Sequence, residues 1–299
     1  MGPHHVPDRP SALERTLTDL RLADYRLVAG EPTGPHWFGL DRVIADESLI
    51  AGWLTALLAG HAQRRVDVAG AFLASYLGAV LAEPVAAAVL DHGRGWLLHP
   101  PGLALQRRAM DGWFSGLAIR GGPVLVLPGD PLEGYPDATA LPDLDALRSR
   151  VAESLVGALR PVFEVIRGRT RLGWPVLWGQ VGDLVVGAAV DRARQRGGST
   201  TAAWDSARQL IDALAVHAPQ VRTRQVLDSV DWSGGRSEFA VRGTCCLYYQ
   251  VADLPLDRTG ARADEAYCAR CPLLDPTDRQ RRWSAWLAAN PPRGPHQPG

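Results

Sequence analysis

All four cysteines of this 299-residue chain fall in one short stretch near its C-terminus. They stand as an adjacent pair, Cys245 and Cys246, and a C-x-x-C pair, Cys268 and Cys271, with twenty-one residues between the pairs. No thiol precedes Cys245. A chain that withholds cysteine and then places four so close together uses them together. The C-terminal part must therefore fold so that two separate segments reach one centre.

The rest of the composition limits what that centre can be. A length of 299 residues with 46% apolar and 21% charged residues describes one large or two modest globular domains. A core of that size does not need cysteines to rescue it. Formal net charge is zero, which argues against nucleic acid as the main partner, since phosphate binding draws on clustered positive charge. The first ten residues, MGPHHVPDRP, lack the apolar core and cleavage site of a signal peptide. The most apolar run, 68–82, is expected to be too short to span a bilayer and reads as a buried helix. The expectation is a cytoplasmic protein without a membrane span. In a reducing cytosol, clustered thiols are metal ligands or redox groups more often than disulfides.

Periodicity predicts an α+β, predominantly helical fold. The tails 1–10 and 291–299 are rich in Pro, Gly and His and are expected to be disordered. Helices are expected over 13–22 with Ser11 as N-cap, 46–64, 67–81, 144–167, 175–196 and 201–216. Pro84 is expected to end or kink the third of these, and Pro161 to kink the fourth. Gly70, Gly78, Gly179 and Gly182 read as positions of close helix approach. Four short apolar runs, 95–99, 103–107, 113–119 and 123–127, predict a small antiparallel sheet in the middle. The proline-rich segment 128–143 is the candidate sub-boundary within a body spanning 11–240. Strands 224–230 and 238–241 form a hairpin that runs into Cys245. The cysteine segment occupies 241–290 and closes with a helix to about 289, opened by a capping box at 277–280. Trp53, Trp178, Trp283 and Trp286 recur with aliphatic residues at helical spacing and read as core, as do Leu247 and Tyr248.

Three chemistries suit four such cysteines: a [2Fe–2S] cluster, a structural zinc site and thiol–disulfide exchange. Zinc sites draw ligands from C-x₂₋₄-C knuckles, and the first pair here has no spacer. Adjacent side chains on a strand face opposite ways, so both thiols reach one centre only if the backbone turns; Gly243 would permit that. Disulfide exchange needs only one C-x-x-C and leaves Cys245 and Cys246 without a role. Spacing alone leaves all three open.

The sequence Arg-Gly-Thr-Cys-Cys-Leu-Tyr-Tyr at 242–249, followed by Tyr-Cys-Ala-Arg-Cys-Pro-Leu at 267–273, resembles the C-terminal signature of the FhuF-like ferric siderophore reductases. A weaker echo is Leu-Trp-Gly-Gln-Val-Gly-Asp at 177–183. The specific part of the likeness covers about 240–275. The resemblance implies that Cys245, Cys246, Cys268 and Cys271 ligate a [2Fe–2S] cluster that passes one electron to a ferric siderophore. It also implies a ferredoxin or flavoprotein donor and possible peripheral association with a siderophore importer, because the chain shows no nicotinamide or flavin motif. The family gap between the pairs is usually shorter. The extra length reads as a surface loop over 251–266, and loop closure costs only about 0.6 kcal/mol more per doubling of length. Arg242 and Arg270 flank the two pairs, and Tyr249 follows the first. They contact the substrate or donor, or they are solvated side chains. Two rival functions remain at this level. One is a non-enzymatic protein stapled by a four-cysteine zinc site. The other is a cluster-bearing protein that handles or senses siderophores without turnover.

Overall fold

The computed structural model describes residues 10–59, 65–250 and 267–291. The terminal tails, the end of the expected 46–64 helix and the 251–266 loop lie outside those residues. Within them the fold is α+β and predominantly helical.

The chain begins with α1 (Ala12–Leu20), set by a capping box in which Ser11 and Glu14 satisfy each other's backbone N–H groups. Strands β1 (Arg26–Ala29) and β2 (Trp37–Gly39) follow, then α2 (Leu40–Ala45) and α3 (Glu47–Ala59). Helix α4 (Val66–His92) is the spine. It is apolar on nearly every face, as expected of a helix wrapped by others. Its 27 residues are long and apolar enough to cross a bilayer, contrary to the expectation from 68–82 alone. However, 78% of its most apolar window is buried within the protein. The buried-helix reading therefore stands on packing and not on length. Pro84 does not end the helix: it is buried inside α4, where surrounding elements hold the backbone that its missing N–H leaves unbonded.

The middle of the chain departs from the expected single antiparallel sheet. There are two sheets, and both contain a parallel pair. Strands β4 (Leu103–Arg107) and β5 (Phe114–Ile119) pair antiparallel, but β1 joins β5 in parallel and β2 closes the other edge, giving the order β1-β5-β4-β2. Strand β3 (Gly95–Trp96) pairs with β6 (Val124–Val126), which takes β7 (Ala138–Ala140) in parallel. Strands β1, β2 and β7 are three or four residues long, too short for alternation to register. Strand β7 lies within the proline-rich 128–143 segment. Asp130 of that segment forms a largely buried ion pair with Arg94 at 2.8 Å.

Helices α5 (Leu144–Arg169), α6 (Trp174–Gln195) and α7 (Thr200–His217) complete the body. Pro161 lies inside a continuous α5, and Pro175 sits in the first turn of α6, where no N–H is needed. One apolar core runs from Ala12 to Ala240 and includes the fully buried Trp178. The hairpin of β8 (Val226–Trp232) and β9 (Gly235–Val241) forms as expected, with β8 shifted by two residues and β9 longer by three. It packs on α8 (Pro276–Ala289) around a second small core of Val230, Phe239, Trp283 and Leu287. The start of α8 needs correction. Its N-cap is Asp275, which accepts from Thr277 N at 2.8 Å, and Pro276 rather than Thr277 opens the helix. Trp53 and Trp283 are buried as expected, but Trp286 is 44% exposed.

Helices α4 and α6 meet through glycine. A Cβ on Gly78 of α4 would lie 3.2 Å from Leu184 of α6. On the other side of α6, a Cβ on Gly182 would lie 2.4 Å from the backbone oxygen of Val221, which has no rotamer to escape through. Gly182→Ala is expected to destabilise the protein by about 1–3 kcal/mol. A lowered urea midpoint with an unchanged slope checks this.

Candidate functional site

The hairpin delivers the first cysteine pair, and α6 fixes where it lands. Asp183, 6% exposed, accepts hydrogen bonds from Gly243 N and Thr244 N, both at 2.9 Å, and from Thr223 Oγ1 at 3.2 Å. Burial raises the pKa of this carboxyl, and the three donors oppose that shift. The backbone bends at Gly243 and Thr244, as the sequence suggested, but the positive φ falls on Leu247, at 62°. Gly243 serves closeness as well: a Cβ there would lie 2.2 Å from Thr223 Oγ1 and 2.5 Å from Arg224 N. The left-handed Leu247 turns the backbone immediately after the pair, and its N–H points back to Cys245 Sγ at 3.4 Å.

The second pair is a tight turn, closed by Cys271 N to Cys268 O at 2.8 Å. Arg242 N donates to Arg270 O at 3.0 Å, which joins the two cysteine segments directly. From behind, the buried Arg279 of α8 donates to the carbonyls of Cys271 at 3.1 Å and Leu274 at 2.9 Å. The helix after the cysteines is thus a clamp on the second pair.

All four cysteines are free thiols, with Cys246 and Cys271 buried. Their side chains interact in sequence: Cys246 with Cys268, Cys268 with Cys271, and Cys271 with Cys245. The contact with Cys271 favours Cys245 as thiolate and lowers its pKa, while the contact with Cys268 and burial push Cys246 up; Cys268 and Cys271 are raised as well. Backbone N–H groups of Tyr248 and Leu273 point at Cys246 and Cys271. The contacts link the sulfurs in sequence; among the described residues no three His, Cys, Asp or Glu side chains form a single-ion group.

Of the flanking residues, Arg242 is partly buried, and the thiols raise its pKa against the opposing effect of burial. It has no ion pair among the described residues. Arg270 is paired with Asp191, which also pairs with Arg194 at 2.5 Å. Tyr249 stacks on Tyr267 at 5.2 Å, so both stay beside the cysteines. Leu247 packs on the core as expected, but Tyr248 is 42% exposed and touches Phe72 of α4 at 6.3 Å.

Sequence reading marked Gly179 as a position of close approach but missed the roles of Asp183, Gly187 and Asp191 on the same helix. Gly179, Asp183, Gly187 and Asp191 recur every fourth position, on one face of a helix. Each meets the cysteine segment: a Cβ on Gly179 would lie 2.1 Å from Thr244 Oγ1, and one on Gly187 would lie 2.6 Å from Arg270. Asp183 ends the 177–183 echo, so a signal was present.

Two cavities adjoin the cysteine segments, and thiols line the smaller one. A smaller one of about 340 Å³ is lined by Cys246, Cys268, Arg242, Arg270, Tyr248 and Trp283. A deeper one of about 490 Å³ lies between α4, α6 and the turn after α1, and Arg242 and Arg270 line it too. Its wall carries Glu83, which accepts from Tyr25 Oη at 2.9 Å. Burial raises Glu83 from an ordinary 4.5 to about 7, against the hydrogen bond from Tyr25 and the charge of Arg270.

No protein-family model matches the chain, and no characterised protein matches it.

Two outcomes follow. Asp183→Ala leaves two backbone N–H groups and a threonine hydroxyl without their acceptor, and should cost about 2–4 kcal/mol by urea unfolding. Glu83 holds its proton more tightly folded than unfolded. Its contribution is therefore complete below about 4.5 and is lost as pH rises through about 7. Relative to Glu83→Gln, the wild-type chain should lose on the order of 3 kcal/mol between those limits. Parallel pH profiles of the two unfolding midpoints would remove Glu83 as the cause.

Proposed function

We propose that this chain is a cytoplasmic ferric siderophore reductase of the FhuF-like kind, with a [2Fe–2S] cluster held by Cys245, Cys246, Cys268 and Cys271. The observation that carries this reading is the donor set. Four free thiols from two segments lie within reach of one another, at the positions where the sequence resembles that family's signature. Thiolate sulfur is the donor that iron–sulfur groups take, so the residues present fit the group. When bound, the cluster would supply a one-electron carrier.

The surrounding chain has work to do in that role. Arg242 lies in the field of Cys245, Cys246 and Cys268 and would offset the negative charge of four thiolates. The N–H groups of Leu247, Tyr248 and Leu273, already aimed at sulfur, would orient the ligands and tune the potential. Asp183 and Arg279 hold the two ligand segments in place from opposite sides. The substrate supplies the remaining logic. Oxygen-donor siderophores hold iron(III) tightly and iron(II) weakly, so adding one electron frees the metal and leaves the chelator intact. That task needs no acid, base or nucleophile. The electron source would be a ferredoxin or flavoprotein, and peripheral association with a siderophore importer belongs to the same proposal.

Protein purified without oxygen should contain iron and acid-labile sulfide and give a rhombic EPR signal after dithionite reduction. Neither iron nor sulfide, with one zinc in their place, would instead make this a structural zinc site. Cys246→Ser should lose or reshape the visible spectrum; an unchanged spectrum would remove Cys246 from the ligand set. Reduction of a ferric siderophore with a competent donor separates turnover from handling or sensing.

A further inference from the structure

The deeper cavity beside the cysteine segments has a composition that the redox reading does not use. Its volume, about 490 Å³, is within the range of small-molecule sites. Arg242 and Arg270 line both this cavity and the smaller one that contains Cys246 and Cys268. A ligand in the deeper cavity would therefore be separated from the thiol cavity by those two arginines.

Charge is the informative property. Five arginines line the cavity against four carboxyl groups. Three of the four carboxyls are committed. Glu83 is paired with Tyr25, Asp183 is spent on the backbone of the cysteine loop, and Asp191 is held between Arg194 and Arg270. On the positive side, Arg192 and Arg270 are neutralised by Asp91 and Asp191. Arg21 and Arg242 have no ion pair among the described residues, and Arg108 is held only by an exposed contact to Asp111 at 3.0 Å. The fourth carboxyl, Asp24, stands against Arg21, Arg108 and Arg242, so what remains facing the space is a positive excess. One wall is aromatic, with Trp113 stacked on Tyr25 at 6.5 Å and set edge-on to Tyr76 at 4.8 Å.

We infer that this cavity is the binding site for the ferric chelate and that it selects chelates of net negative charge. The inference rests on the reductase reading for the identity of its ligand, and on the cavity's own lining for its charge preference. Arg21 and Arg108 meet the chelate at the rim. Arg242 meets it at the wall shared with the thiol cavity, where Arg270 stays with Asp191, and Trp113 packs against its organic part.

Gallium(III) chelates test binding apart from reduction, because gallium(III) copies the charge and oxygen ligation of iron(III) but is not reduced to a divalent ion. The full chain, purified without oxygen, is titrated with gallium(III) tris-catecholate, a trianion, and with gallium(III) tris-acetohydroxamate, which is neutral. The trianion should bind more tightly by about tenfold or more. Arg108→Glu should weaken the trianion by about tenfold and leave the neutral chelate unchanged. Ala188→Trp, which fills the cavity from α6, should weaken both. Arg150→Glu, an exposed arginine on α5 away from the cavity, should change neither. Equal affinity for the two chelates overturns the inference. So does an equal effect of Arg108→Glu and Arg150→Glu, or no binding to protein whose iron and sulfide are intact. If binding follows the expected pattern in protein that lacks iron and sulfide, the cavity stands and the redox reading falls.

Discussion

The carboxylate of Asp183 holds two backbone N–H groups, those of Gly243 and Thr244, and the location of the first cysteine pair depends on that contact. Both N–H groups belong to a segment leaving a strand, where ladder partners have run out and an acceptor must come from elsewhere. Asp183 supplies it from the middle of a buried helix. A carboxylate in such a place would be strongly disfavoured alone; three donors at 2.9–3.2 Å make it tolerable and make the loop specific. Removing either partner leaves the other buried and unmatched, so the contact enforces one loop conformation.

Helix α6 extends the same logic along its length. Gly179, Asp183, Gly187 and Asp191 form a line of small and acidic residues at four-residue spacing. The glycines bring the helix against Thr244 and Arg270 with no side chain between. The acids bond what the glycines admit: Asp183 the loop before Cys245, and Asp191 the side chain of Arg270 within the second pair. One rigid helix thereby registers both cysteine segments. Helix α8, through Arg279, holds the second from behind.

Much of this was legible in the sequence, and the gaps have physical causes. Helices α5, α6 and α7 were read nearly to their ends, because a stripe over many turns averages out local exceptions, whereas α4 runs eleven residues past the expected 81. An end at Pro84 was the misleading option because proline's effect on a helix is local, while packing along α4 is collective. Strands of three or four residues, such as β2 and β7, carry no alternation, so both parallel pairings were invisible. At the site, the cysteines and Arg242, Tyr249 and Arg270 were found by type and position. Asp183 and Glu83 were not, since an acid inside an apolar helix becomes informative only once its partners, sixty residues or more away for Gly243 and fifty-eight for Tyr25, are known. The role of Gly243 was found in part: the chain bends there, but the residue also permits a close approach to Thr223, and the left-handed residue is Leu247.

The charges around the thiols do not balance within the described protein, and that imbalance bears on the proposed chemistry. Asp191 serves Arg194 and Arg270 together, so neither of those cations is free to answer an anion without disturbing the other. Arg242 is different. Its nearest electrostatic partners are Cys246 and Cys268, followed by Asp183, whose oxygens are already committed to backbone N–H groups. A partly buried cation facing neutral thiols carries a desolvation cost with little return. The same cation facing thiolates has a partner. Of the four thiols only Cys245 is shifted towards the anionic form, while Cys246, Cys268 and Cys271 are shifted towards the neutral one, so Arg242 is the cation that would gain a partner if these sulfurs took the anionic form in which they bind metal. On the proposed reading Arg242 faces negative charge on both sides, four thiolate ligands in one cavity and an anionic chelate in the other.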